Sequence, residues 1–302
     1  MEARPGQRAL GAPLVSLPGS DDLAIAHNVL ATSNVVRRVE IWLTKGGLDD
    51  NLSSAARGAS YETNLRAEIC AELSANQIVK DRACAENGLK RGADCSEQVD
   101  LLVQFASLLL VGEIKCLLFP ADSRERYNFL RKLKDAAAQA TRKAIFIRTR
   151  RDIVARVLSI SPEKAQSLRV LPVVVMNQGF GMSLVFDDCV VTNAKFLKLY
   201  LGSGNYVSEA AVNRVDGSWA QAERFLYRNE KEAADNFEES MRRPPPLYRF
   251  VDRLRWTTFG FPTHSGVPLS IARSELSDVA GETRKRYEML GAVVDERTPY
   301  LQ

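Results

Sequence analysis

The chain of 302 residues is 45% hydrophobic and carries a formal net charge of +4. Such a length and apolar content can bury a substantial core, arranged as one large domain or two modest ones. The near balance of acids and bases leaves no global polycation, so any surface for a polyanion has to be built locally.

Residues 1–20, rich in Gly, Pro and Ala, read as poorly ordered. A helix is expected over 22–43, where Leu23, Ala26, Leu30, Val35, Val39 and Leu43 recur at near-helical spacing and Asp21 or Asp22 can cap the start. The next helix opens near Ser60. Its stripe is Tyr61, Leu65, Ile69 and Leu73, with Glu62 along one border and Glu68 and Glu72 along the other. A weak strand over 77–82 and a polar, turn-like stretch over 86–97 follow.

Residues 99–105 and 108–115 are short runs of β-branched and large apolar residues, broken by charge only near one end, and both read as buried strands. A hairpin turning at Ala106-Ser107 sets Phe105 opposite Leu108 and, at the far end, Asp100 opposite Glu113, although Ala-Ser is poor chemistry for a tight turn. The two carboxylates would then have β-carbons about 4.5–5.5 Å apart. Like charges so close beside apolar strands need one carboxyl to keep its proton or a cation to sit between them. Strand alternation sends Lys115 to the same face as Glu113 and Ile114 to the other. A cation-binding carboxylate pair with an ammonium beside it supplies what phosphodiester hydrolysis needs.

After Lys115 the strand runs out to Phe119, and Pro120 stops it. A helix is expected over 124–143, capped by Asp122 or Ser123, with Tyr127, Leu130, Leu133 and Ala137 inward. Residues 122–156 hold eleven basic residues against four acidic ones, a local +7 directly after the carboxylate hairpin. Arg124, Arg126, Arg131, Lys132, Arg142 and Lys143 are its candidates for contacts to a nucleic-acid backbone. A short strand over 144–147, a helix over 150–158, another opening at Ser161-Pro162-Glu163 and a buried strand over 170–176 follow. Strand alternating with helix implies parallel pairing. Beyond Asn177 the pattern predicts a hairpin over 179–191, a short helix over 194–201, a long charged helix over 218–241 and a rigid break at 244–246. A half-buried strand alternating Arg with aromatics over 248–259 and a terminal helix over 274–290 complete the chain.

Five cysteines, none spaced Cys-x-x-Cys, and only His27 and His264 argue against a structural zinc site and for reduced thiols in a cytosolic protein. The N-terminus lacks a signal-peptide pattern, and no run approaches the roughly 18 apolar residues of a membrane span. A cytoplasmic location without membrane contact is the expectation.

Asp100 on one strand, Glu113-Ile114-Lys115 on the next, apolar flanks and a following helix resemble the core of the PD-(D/E)XK nucleases, the restriction-endonuclease-like superfamily. Val99 stands where the name's Pro would be. The resemblance covers about residues 58–176. It implies an α/β fold with a mixed central sheet flanked by helices over 58–177 and says nothing firm of the ends, where the residue patterns themselves predict an N-terminal extension with one helix within 1–57 and an α+β C-terminal extension over 178–302. It further implies Mg²⁺, with Mn²⁺ able to substitute, held by Asp100, Glu113 and the backbone carbonyl of Ile114, and Lys115 positioning the nucleophile. Glu62 matches the acidic residue that members carry in the first helix, with Glu68 in reserve, and Gln139 matches a glutamine near the phosphate or water. The substrate implied is DNA, with RNA as the alternative, in restriction or anti-phage defence, as a homo-oligomer or with a partner subunit. The other class of reading is a nuclease-fold subunit that binds nucleic acid or a partner protein without turnover. The intact Asp, Glu and Lys favour the enzyme.

Overall fold

The computed structural model describes residues 14–16, 23–25, 54–92, 95–120, 123–212, 219–247, 254–261, 269–276 and 292–294. Strands β1 (Leu14–Ser16) and β2 (Leu23–Ile25) pair antiparallel. Residues 23–25 are therefore extended where the apolar spacing predicts the start of a helix, and the rest of 22–43 lies outside the described residues. Helix α1 (Ser54–Ala75) buries the predicted residues Leu65, Ile69 and Leu73.

A six-stranded mixed sheet flanked by helices forms the centre. Its strands are β3 (Arg82–Cys84), β4 (Leu101–Phe105), β5 (Leu108–Lys115), β6 (Arg169–Met176), β7 (Val185–Phe186) and β8 (Cys189–Asn193). In space the order is β3-β4-β5-β6-β8-β7. β3, β4 and β5 pair antiparallel, β5-β6 and β6-β8 parallel, and β7-β8 antiparallel. The parallel step from β5 to β6 needs a crossover, supplied by α2 (Ser123–Thr149), α3 (Arg151–Leu158) and α4 (Pro162–Ser167). Ser161 caps α4, its hydroxyl accepting from the Lys164 N–H, with Pro162 at the first position as expected.

Residues 144–147 continue α2 rather than forming a strand. Ala144 and Ile147 extend the buried row Phe129, Leu133, Ala136, Ala137 and Ala140, while Ile145 is 54% exposed. An existing helix adds a residue at far lower cost than a new strand is nucleated. That row also corrects the inward face. Tyr127 and Leu130 are 67% and 41% exposed, because Phe129 rather than Leu130 points at the sheet.

The sheet and its core continue beyond residue 177. α5 (Ala194–Gly202), capped by Asn193, packs against α1, and β9 (Asn205–Val212) follows. Strand β10 (Trp219–Phe225) occupies the start of the predicted helix 218–241, because pairing with β9 and with β13 (Ala292–Val294) overrides the helical preference of its Ala, Gln and Glu. Only α6 (Glu230–Asp235) and α7 (Phe237–Arg242) remain helical there. Strands β11 (Leu254–Phe261) and β12 (Leu269–Leu276) pair antiparallel. Residues 274–276 are thus strand where a terminal helix is predicted, and 277–290 and 248–253 lie outside the described residues.

Alternation along the strands separates two apolar cores. Leu101, Val103, Phe105, Leu108, Leu110, Ile114, Val173 and Val175 face α1, α5 and α7. Leu102, Leu109, Val111 and Val170 face the end of α2 and α3, and Val174, Met176 and Val191 face the rest of α2. Cys70 on α1 and Cys84 on β3 form a disulfide across 5.5 Å between Cα atoms, so two of the five thiols are not free as the composition suggests. Cys95 and Cys189 are buried free thiols. No described helix is long and apolar enough to cross a membrane.

Candidate active site

The β4-β5 ladder has the register that a turn at Ala106-Ser107 imposes, with Phe105 facing Leu108 and Leu101 facing Gly112. Ala106 pays for the poor turn chemistry with a left-handed φ of 53°, which costs about 1–2 kcal/mol for a residue with a β-carbon. Its N–H donates to the Asp81 carbonyl at 2.8 Å, and the Ser107 carbonyl accepts from the Arg169 N–H at 2.9 Å, which hold the turn. At the other end, a β-carbon on Gly112 would lie 2.7 Å from that of Leu101, so only glycine lets the strands close here.

One residue beyond that last pair lies Asp100. Its Oδ2 accepts from the Ile114 N–H at 3.2 Å, so a side chain continues the ladder where the strand has stopped. The N–H and C=O of a strand residue point to the same edge, and the Ile114 carbonyl accordingly faces the gap that Asp100 fills. Helix α1 is tied to this point by Arg66, whose Nε donates to the Asp100 carbonyl at 2.6 Å.

Glu113 and Lys115 share the face directed at α2, and Ile114 packs in the opposite core. The Lys115 ammonium donates to Glu113 Oε1. A second ammonium, that of Lys143 on α2, donates to Glu113 Oε2 and stands 3.6 Å from Asp100 Oδ1. Lys143 therefore does not lie with the exposed basic residues as a backbone contact for nucleic acid. It belongs to the buried row of α2, with 7% of its side chain exposed against 29% for Lys115. The sequence holds a signal for this: Lys143 is the one charge in the buried row that runs from Phe129 to Ile147.

A cation reaches both acids, and the two carboxyls shift in opposite directions. Burial, and then the Glu113 charge, pushes the Asp100 carboxyl above the usual range. Burial acts on Glu113 in the same direction, but the ammonium groups of Lys143 and Lys115 outweigh it and hold this carboxyl low. The pair is thus split, with Asp100 shifted toward its protonated form and Glu113 toward its ionised form.

Glu62, half-buried on α1, is raised by desolvation and then by the charge of Asp100, with Lys115 pulling the other way. It therefore stands within the field of the cluster. Glu68 is exposed and pairs with Lys198 at 2.6 Å. Gln139, half-buried, lies one helical turn before Lys143 and so on the same side of α2. Arg124, Arg126, Arg131 and Lys132 are exposed on α2. Arg142 is exposed too, but its guanidinium is engaged by Glu97 at 2.9 Å.

Among the described residues no three acidic, His or Cys side chains form a ready-made metal cage. The oxygens that could serve a divalent ion are those of the Asp100–Glu113 pair, with the neighbouring Ile114 carbonyl. Hard oxygens from two carboxylates would suit Mg²⁺. The Lys143 ammonium contacts Glu113 and stands 3.6 Å from Asp100, so one cation already reaches both acids. Comparison with protein-family models, with curated proteins and with solved structures finds no match for the chain.

Proposed function

We propose that the chain is a metal-dependent nuclease with a restriction-endonuclease-like core, hydrolysing phosphodiester bonds of DNA. The observation that carries this reading is the buried Asp100–Glu113 pair at the carboxyl end of β5, with Lys115 on the same face and reaching solvent. Carboxyl ends of parallel strands are where α/β sheets place ligands. Asp100, Glu113 and the Ile114 carbonyl would hold Mg²⁺ or Mn²⁺. When bound, such an ion neutralises phosphate charge and acidifies a water. Lys115 orients the attacking water and meets the negative charge that builds on the phosphate. Glu62 borders the site from α1, and Gln139 lies on the helix beneath it. Exposed Arg124, Arg126, Arg131 and Lys132 offer the DNA backbone positive charge.

A second reading has one specific observation in its favour. Lys143 already neutralises the pair, as it would in a nuclease-fold subunit that binds nucleic acid or a partner without turnover. Incubating the protein with plasmid, linear and single-stranded DNA in Mg²⁺, Mn²⁺ or chelator separates the two. Cleavage that needs the ion and disappears in Glu113→Ala and Lys115→Ala supports the enzyme. Binding without cleavage in any of these supports the subunit.

A further inference from the structure

Lys143 breaks the pattern of the helix that carries it. Every other member of the buried row of α2 is apolar, and the flanking Ala140 and Ala144 are small enough to let a four-carbon stem run between helix and sheet. Burying an ammonium is costly unless it is paired. Here it meets Glu113 and lies 3.6 Å from Asp100, between the two groups that would ligate a divalent ion. Lys115 reaches the same Glu113 from the solvent side and leaves the interior position to Lys143. One position cannot hold two cations.

We infer that Lys143 is a tethered counter-cation occupying the divalent-ion position, so that metal binding proceeds by competition with its ammonium. This rests on the nuclease reading and concerns its regulation. Without metal, Lys143 keeps two adjacent buried acids from repelling each other. With metal, the ammonium has to withdraw from between them, and the ion binds more weakly than the carboxylate pair alone would allow. Removing the lysine's charge should then tighten metal binding, the reverse of what loss of an ordinary site residue does.

The test is Mn²⁺ binding to the full chain without nucleic acid, read from the electron paramagnetic signal of the free ion. Lys143→Met is expected to bind Mn²⁺ about tenfold or more tightly than wild type, a gain abolished by adding Glu113→Gln. Lys143→Arg, which keeps the charge, should stay near wild type. Because Lys143→Met leaves Asp100 without a cation and Glu113 with Lys115 alone, thermal melting is followed in parallel. The variant should melt below wild type in chelator and recover in Mn²⁺. Wild type binding Mn²⁺ with Lys143→Met equal or weaker overturns the competition and leaves the nuclease reading standing. A Lys143→Met protein that stays unfolded in Mn²⁺ overturns it also. If neither protein binds Mn²⁺, the pair is not a metal site and both readings fall together.

Discussion

Two buried polar clusters lie on opposite faces of the same sheet, and they are built on different principles. On the α1 and α5 side, Asn76 donates to the Leu201 carbonyl at 2.7 Å and to the Tyr227 hydroxyl at 2.8 Å, and accepts from the N–H groups of Ile78 and Val79. Tyr227 in turn donates to the Tyr200 carbonyl at 2.6 Å, and Tyr200 to the Ala233 carbonyl at 3.0 Å. Phe105 and Phe237 pack edge-on around Tyr200. Every group there is neutral and matched, which gives a rigid joint between α1, α5 and α6. On the α2 side, Asp100, Glu113, Lys115 and Lys143 concentrate charge where apolar residues would pack as well. Buried charges often add nothing to stability over an apolar substitute. The neutral cluster is therefore explained by folding alone, while the charged one is the part that the proposed function would use.

That contrast can be broken in several ways. The largest expected effect is on turnover: Glu113→Ala or Lys115→Ala should lower metal-dependent DNA cleavage about a thousandfold, measured as single-turnover rate, with melting temperature changed far less for Lys115→Ala than for Glu113→Ala. In the neutral cluster, Asn76→Ala should cost about 3 kcal/mol or more in denaturant unfolding, because it orphans two N–H groups and the Leu201 carbonyl, and leave cleavage by the remaining folded protein intact. Replacing the charged set together, with Asp100→Asn, Glu113→Gln and Lys143→Met, should give a chain within about 2 kcal/mol of wild type or more stable, yet inactive.

Alkaline pH reaches the neutral cluster through its phenols. Burial pushes the Tyr227 phenol up to about 12 from its ordinary value near 10, and burial raises Tyr200 and Tyr61 as well. The folded chain thus keeps protons that the unfolded chain releases. This contribution to stability is whole below pH 10 and is lost as pH climbs through about 12. Phenolate absorbance from these rings should appear together with loss of near-ultraviolet circular dichroism, not before it. The smallest effect concerns the exposed basic face. Arg131→Ala should weaken DNA binding a few-fold and lower the salt slope by about 1, with no effect on folding.

The sequence carries the hairpin well, since two apolar runs around a short turn fix the register and with it the place of Asp100 opposite the Glu113 strand end. It carries the strand over 170–176 and the Ser161 cap for similar local reasons. It carries other parts poorly. Ala144-Ile145-Phe146-Ile147 satisfies both a strand run and the end of a helical stripe, and only the sheet beneath decides. Trp219–Phe225 has helical composition but sits beside β9, whose free edge it pairs with. Nothing in the spacing of Cys70 and Cys84 foretells that α1 and β3 bring them together. Lys143 reads as one more charge in a basic segment until the helix phase places it inward.

Single-turnover cleavage of an end-labelled DNA across a Mg²⁺ titration, for wild type beside Glu113→Gln, measures the central claim most directly. Cleavage by wild type that rises with Mg²⁺ and stops in chelator, with none from Glu113→Gln, is the predicted result. Equal cleavage by both proteins, or cleavage by wild type that persists in chelator, would contradict it.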